Sequence, residues 1–249
     1  MLEPPTVAEV KQANRRLYDS VADDYEAIDG RRDEKLLDWI RTRLRKLAEE
    51  HGNAVLLDLG SGSGAVTKAA RGIFERSIAT DISPGIIAAA GPVADVRLAA
   101  DSDALPLADG VVNVVSCFAV LHHLCDTSRL AREVARVLKR GGVFWSDHDM
   151  DLAFHRRFRW PLAGYRWLRG ADRHYCDAGI DAETYALAEC REDGVDAALV
   201  LRELRAAGLD ARAEFHWFGL TPWADRLFGD RVRPRGWAPL LRILATKPA

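Results

Sequence analysis

The sequence has little charge imbalance, few cysteines and no long apolar run. Its 249 residues carry 35 Lys plus Arg against 37 Asp plus Glu, a formal net charge of -2. A dedicated nucleic-acid binder normally carries a basic excess, so nucleic acid is not an expected partner. No apolar run approaches the roughly 18 residues that suggest a membrane span. The N-terminus, MLEPPTVAEVKQANRRLYDS, lacks the apolar stretch of a signal peptide, and a cytoplasmic setting is the expectation. The four cysteines, Cys117, Cys125, Cys176 and Cys190, form no CxxC pair. No compact Cys/His spacing occurs either, so free thiols and no metal site are expected. A cluster of His148, Asp149 and His155 holding iron or magnesium is a minor alternative. Internal repeats and low-complexity segments are missing too, which excludes solenoid architectures.

What remains is ordinary globular material, 48% hydrophobic and 29% charged. The length fits one large domain, or one with a modest addition. Residues 1–50 read as helical, with Leu36, Leu37, Ile40, Leu44 and Leu47 on one face and Gly52 as a stop. Residues 54–146 alternate strands (AVLLDLG, SIATDIS, DVRLAA, VVNVVSCF, GGVFWSD) with helical patterns. Apolar runs without strict alternation suit a sheet covered on both faces, and strand–helix alternation implies a parallel sheet. ARAEFHWFGL and PLLRILATKP read as two final strands paired antiparallel. The expected class is therefore α/β: a Rossmann-like, seven-stranded, mostly parallel sheet closed by an antiparallel hairpin. Residues 1–50 form a helical cap, and 51–249 form the main domain. Within it, 150–195 is an aromatic, arginine-rich helical insertion after the fifth strand.

Leu56-Leu57-Asp58-Leu59-Gly60-Ser61-Gly62-Ser63-Gly64 places a glycine turn where a strand ends and a helix begins. Such a turn lets a ligand approach main-chain N–H groups, or is simply a tight connection. Asp81 ends the next apolar run, where a carboxylate can accept both hydroxyls of an adenosine ribose. Asp58 inside the strand would repel a pyrophosphate but suits a ligand with an ammonium group. That favours S-adenosylmethionine over a dinucleotide.

These segments, in this order over about residues 14–145, resemble the class I S-adenosylmethionine-dependent methyltransferases. The similarity is greatest to the small-molecule branch of ubiquinone and menaquinone methyltransferases. LLDLGSGSG resembles the family's first motif, ATDIS its acidic ribose motif, DSDALPLADGVVNVV its third motif, SCFAVLHHL the segment after the fourth strand, and LKRGGVFW the turn into the fifth. YDSVADDYE resembles the cofactor-covering N-terminal helix. The resemblance implies that Asp58, Gly60, Ser61 and Gly62 hold the methionine portion and that Asp81 binds the ribose. It places Ile82 on the adenine, Asp101 at its amino group and the Ser102 backbone at a ring nitrogen. Phe118 would lie beside the sulfonium, and Tyr18 and Tyr25 would close the pocket. Asn113 departs from the Asp found in many relatives.

Methyl transfer from a sulfonium needs alignment more than covalent help, and a base only for a weakly acidic acceptor. Candidates for the chemistry are His148, within Ser146-Asp147-His148-Asp149, and the pair His122 and His123. Each has a plainer reading, as a solvated loop histidine or as pocket wall. The insertion, with Arg156, Arg157, Arg159, Arg166, Arg169 and Arg173, is the expected acceptor-recognition segment, suited to a planar or acidic small molecule. Its plainer reading is a helix with an arginine-coated outer face. The expected function is methyl transfer to a small-molecule O, N or C atom in biosynthetic or specialised metabolism. The alternatives are cyclisation-type chemistry on the same fold, or a non-catalytic partner role.

Overall fold

The computed structural model describes residues 5–25, 34–169, 182–191 and 193–249, with only the backbone of 165–169, 182 and 183. His174, Tyr175, Cys176 and Arg173 of the insertion lie outside the described residues.

Helix α1 (Val7–Ser20) starts at a capping box: Glu9 N donates to Thr6 Oγ1, and Thr6 N donates to Glu9 Oε2 at 2.7 Å. Helix α2 (Glu34–His51) buries Leu36, Ile40, Leu44 and Leu47, the stripe expected from their spacing. The alternating core follows as β1 (Val55–Leu59), α3 (Ala65–Ala70), β2 (Arg76–Asp81), α4 (Pro84–Ala89) and β3 (Val96–Ala99). Then come β4 (Val112–Phe118), a 3-10 turn (Leu121–His123), α5 (Ser128–Val137) and β5 (Leu138–Met150). The insertion holds α6 (Leu152–Arg169) and α7 (Ala182–Ala188), and the chain ends with α8 (Ala197–Ala206), β6 (Asp210–His216), α9 (Pro222–Leu227) and β7 (Leu240–Thr246).

The seven strands lie in the order β3-β2-β1-β4-β5-β7-β6. β1 to β5 run parallel, while β7 pairs antiparallel with both β5 and β6. Both faces are covered, as the unalternating apolar runs require. Leu57, Val115 and Phe144 face α5 and α8 in one apolar cluster. Their neighbours Leu56, Val114 and Trp145 face α2 and α3 in the other. The strand order reverses between β1 and β4, and in open parallel sheets the crevice beyond the carboxyl ends at such a reversal takes the ligand.

β5 is longer than its sequence pattern suggests. His148 is not in a loop beyond the strand: it lies within β5, where the register with β7 shifts between Ser146 and Asp149. It takes a left-handed φ of 70°, and Ala119 on the facing strand end one of 55°. Ala119 N donates to Asp147 O at 2.8 Å, so both irregular residues are held at the same level of the sheet.

Candidate active site

The glycine turn follows β1. Gly60 has φ +62°, and a Cβ there would stand 2.5 Å from Val120 Cγ2. Gly64 has φ +81°, and a Cβ there would stand 2.6 Å from Val93 Cγ2. Glycine is thus required by conformation and by close approach together. Ser61 N donates to Thr80 O at 2.9 Å, and Gly62 N to Asp81 Oδ2 at 3.1 Å, tying the turn to the end of β2. The buried hydroxyls of Ser61 and Ser63 have no hydrogen-bond partner among the described residues.

Asp58 is buried on β1 and accepts from Ser116 Oγ at 2.7 Å. Asp81 also accepts Ser83 N at 3.0 Å. Burial raises its pKa, partly offset by the main-chain N–H groups of Ser83, Gly62 and Ile82. Carboxylate oxygens carry more acceptor sites than these N–H groups use, so a diol can still be bound. Beside Asp81 opens a cavity of about 340 Å³ lined by Ile82, Pro84, Ala99, Ala100 and Asp101 below and by Lys11, Gln12 and Arg15 of α1 above. Asp101 Oδ2 accepts Lys11 Nζ at 2.7 Å, and its Oδ1 accepts Asp103 N at 2.9 Å. Any ligand amino group at Asp101 therefore shares that carboxylate with Lys11. Asp19 of α1 accepts Ser83 Oγ at 2.5 Å and Gly85 N at 2.9 Å, docking α1 on the start of α4.

At the end of β4, Phe118 stacks on His148 with centroids 4.3 Å apart. His148 is buried: its backbone N and Nδ1 lie 2.8 and 3.0 Å from Asp147 Oδ1. Its Nε2 has no hydrogen-bond partner among the described residues. The acid that orients it is thus Asp147. Asp147 also accepts from Arg242 Nε at 2.7 Å and contacts His216 Nε2 at 2.7 Å. Burial opposes its ionisation, but His216 and His148 outweigh burial and hold the carboxyl well below the usual range.

Asp149 turns to the histidine pair instead. His122 Nδ1 lies 2.7 Å from Asp149 Oδ1, and His122 N donates to the same oxygen at 3.1 Å. His123 Nε2 lies 2.8 Å from the Tyr18 hydroxyl, and its Nδ1 lies 3.1 Å from Ala188 O. Burial, then the neighbouring His122, pushes the His123 pKa well below the usual histidine value. Tyr25 packs edge-on to Tyr18 at 5.7 Å. His155 goes elsewhere, to Asp193 at 3.7 Å, so His148, Asp149 and His155 do not form one cluster.

The insertion divides its work. Phe154 of α6 packs edge-on to Trp217, and Arg157 lies 3.7 Å from the Trp237 ring centroid. Arg157 is thus engaged beside the final hairpin, and Arg159 lies over Trp160 on its own helix. The side chains of Arg166 and Arg169 lie outside those described. The part that meets the histidine pair is α7, whose Ala188 packs with Ala13 and Leu17 of α1. Glu189, just beyond α7, sits 3.6 Å from His122 Nε2 and 3.7 Å from His123 Nδ1. Sequence reading missed Glu189, Lys11 and Asp19, because no local motif marks residues supplied from distant helices.

Asn113 lies at the opposite end of the strands, donating to His51 O at 3.1 Å and accepting Val55 N at 3.2 Å. Its departure from the family pattern touches a strand–helix junction and none of the groups above.

The sheet order and the antiparallel final hairpin are those of Rossmann-like methyltransferase folds. Residues 57–146 match the family model described as a methyltransferase domain. The chain is 39% identical over 88 residues to a demethylmenaquinone methyltransferase of Mycolicibacterium vanbaalenii, covering 35% of this chain and 38% of that protein. It is 31% identical over 103 residues to a malonyl-[acyl-carrier protein] O-methyltransferase of Yersinia pestis, covering 41% and 39%. The chain spans less than half the length of these curated relatives. Among solved structures, the [4+2]-cyclase SpnF aligns over 98% of this chain and 97% of its own, with TM-score 0.62 and 18% identity. The methyltransferase bound to the Haloferax volcanii Trm112 activator aligns over 95% and 98%, with TM-score 0.61 and 21% identity. These likenesses concern the fold. Among the described residues no helix is long and apolar enough to cross a membrane.

Proposed function

We propose that the chain transfers a methyl group from S-adenosylmethionine to a small-molecule acceptor in biosynthetic or specialised metabolism. The observation that carries this reading is Asp81. Its buried carboxylate ties the glycine turn to the cavity beside Ile82, and so joins an ammonium-accepting region to a nucleoside-sized one.

The residues present fit such a ligand. The buried Ser61 and Ser63 hydroxyls await partners, and Gly60 and Gly64 leave a cradle that a side chain would fill. Asp58, Gly60, Ser61 and Gly62 would hold the methionine portion, and Asp81 the ribose. Ile82, Asp101 and the Ser102 backbone would address the adenine. Tyr18 and Tyr25 would cover the ligand, and Phe118 would stand beside the sulfonium. When bound, S-adenosylmethionine supplies a methyl already activated for in-line displacement, so alignment dominates. Phe118 stacked on His148 sets the wall against which an acceptor is aligned. His122, oriented by Asp149, is the group best placed to take a proton from an acceptor beyond β4. His123, kept neutral by burial and held by Tyr18, shapes the same wall.

The test is calorimetric titration with S-adenosylmethionine, beside an Asp81→Ala variant. Losing charge-assisted hydrogen bonds of about 1.5–3 kcal/mol weakens binding roughly 10- to 100-fold. Equal binding by both proteins rejects the site. Release of S-adenosylhomocysteine with a turned-over acceptor separates methyl transfer from other chemistry on this fold.

A further inference from the structure

We propose that His122, His123 and Glu189 form a binding site for a divalent transition metal, zinc being the best match. The donors are two imidazoles and a carboxylate, the N/O set zinc takes when one coordination position stays open. Their ligand atoms all lie within 4.8 Å of one another. Glu189 stands 3.6 Å from His122 Nε2 and 3.7 Å from His123 Nδ1. Two metal–ligand bonds of about 2.0–2.2 Å at a tetrahedral angle span roughly 3.4 Å, so a small closure of Glu189 completes the set.

The surroundings carry a second, independent sign. A metal-binding histidine usually has its other ring nitrogen fixed by a carboxylate or another polar group. Here both do: His122 Nδ1 is fixed by Asp149 at 2.7 Å, and His123 Nε2 by the Tyr18 hydroxyl at 2.8 Å. That points His122 Nε2 and His123 Nδ1 towards Glu189. In the loaded state His123 Nδ1 exchanges its contact with Ala188 O for the metal. In a second histidine–carboxylate group, Asp147, His148 and His216, the ligand atoms also lie within 4.8 Å of one another. It is a poor cation site, because Arg242 already places a guanidinium 2.7 Å from Asp147.

The site joins the turn after β4 to the end of α7, so metal would fasten the insertion to the sheet. His122 keeps 25% of its side chain exposed, which leaves room for a further ligand. That ligand is an oxygen donor such as a phenolate, enolate or carboxylate, bound as its anion, because a metal-bound His122 Nε2 has no lone pair left to take the proton assigned to His122 in the metal-free chain. This last step rests on the methyl-transfer reading, whereas metal binding does not.

The experiment is titration of the full chain with Zn²⁺ against a competing chelator, without S-adenosylmethionine. It is repeated with Co²⁺ read by its visible absorption. One metal per chain is expected. His122→Ala and Glu189→Gln should each weaken binding at least tenfold, and Asp149→Asn about 10- to 100-fold. His148→Ala should bind as the parent chain does. Glu189→Gln carries the test if His122→Ala does not fold, as checked by circular dichroism. No saturable binding, or equal binding by both ligand variants, overturns the site. Because nucleoside binding is read separately at Asp81, failure here is distinguishable from failure of the methyltransferase reading.

Discussion

Arg242→Met should destabilise the protein more than any other single change at the sheet's carboxyl edge. Arg242 is 2% exposed and its guanidinium serves three acids: Asp147 at 2.7 Å, Glu214 at 3.0 Å and Asp230. Asp230 keeps Arg43 and Glu214 is partly solvated, so both have relief. Asp147 has none from solvent, being fully buried. Among the described residues it would retain His216, His148 and the Trp145 indole, which donates at 3.3 Å. Removing one partner of a buried ion pair costs about 3–5 kcal/mol. At about 2–4 °C per kcal/mol for a domain of this size, Tm should fall by about 6–20 °C. Arg242→Lys should recover only part of the loss, since a point charge cannot serve three acids as a planar fork does. The assay is thermal and urea unfolding followed by circular dichroism. A change below about 1 kcal/mol for Arg242→Met would refute the reasoning that this guanidinium neutralises a buried carboxylate.

Stability should decline in acid in two stages. Burial pushes the His216 pKa below its ordinary 6.5, so the unfolded chain takes that proton first and stability falls as pH drops below 6.5. Asp147 is depressed below 3.8, so its contribution is present above that value and is lost as pH falls through the lower folded value. Urea midpoints that stay flat from neutral pH to mild acid would contradict the first stage. Gly60→Ala forces a left-handed alanine, at about 1–2 kcal/mol, and sets a methyl against Val120; a lower Tm and lost S-adenosylmethionine binding are expected. His148→Ala should lower turnover more than cofactor affinity, because His148 stacks on Phe118 without touching the glycine turn; unchanged turnover with a true acceptor removes it from the chemistry.

The fold was legible because its signals are local. Leu56 and Leu57 announce a strand with two covered faces, Gly60 and Gly64 the turn, and Asp81 the end of the next strand. The final hairpin is equally plain from its two apolar runs. His148 misled because its run of polar neighbours looks like a loop. Sequence pattern cannot show that β7 supplies Arg242 and β6 supplies His216 to neutralise Asp147 inside a strand. The pairing of Asp149 with His122 was hidden similarly, because it depends on the register between β4 and β5 rather than on adjacency. Glu189 joins them only through the packing of α7 on α1, a long-range contact with no spacing signature.

Helix α1 has a consequence for the timing of events. Lys11 lies over the nucleoside-sized cavity and Tyr18 contacts His123. They stand seven positions apart on the helix, about 10 Å at 1.5 Å per residue. Both coverings are therefore carried on a single stiff rod, anchored between them by side-chain packing and by Asn14 Nδ2 donating to Ala188 O at 3.3 Å, and at its end by Asp19 on α4. A rod of this kind transmits a displacement at one end to the contacts along its length. On the methyl-transfer reading proposed above, access beside Ile82 and access beside His123 are therefore coupled through the seating of α1.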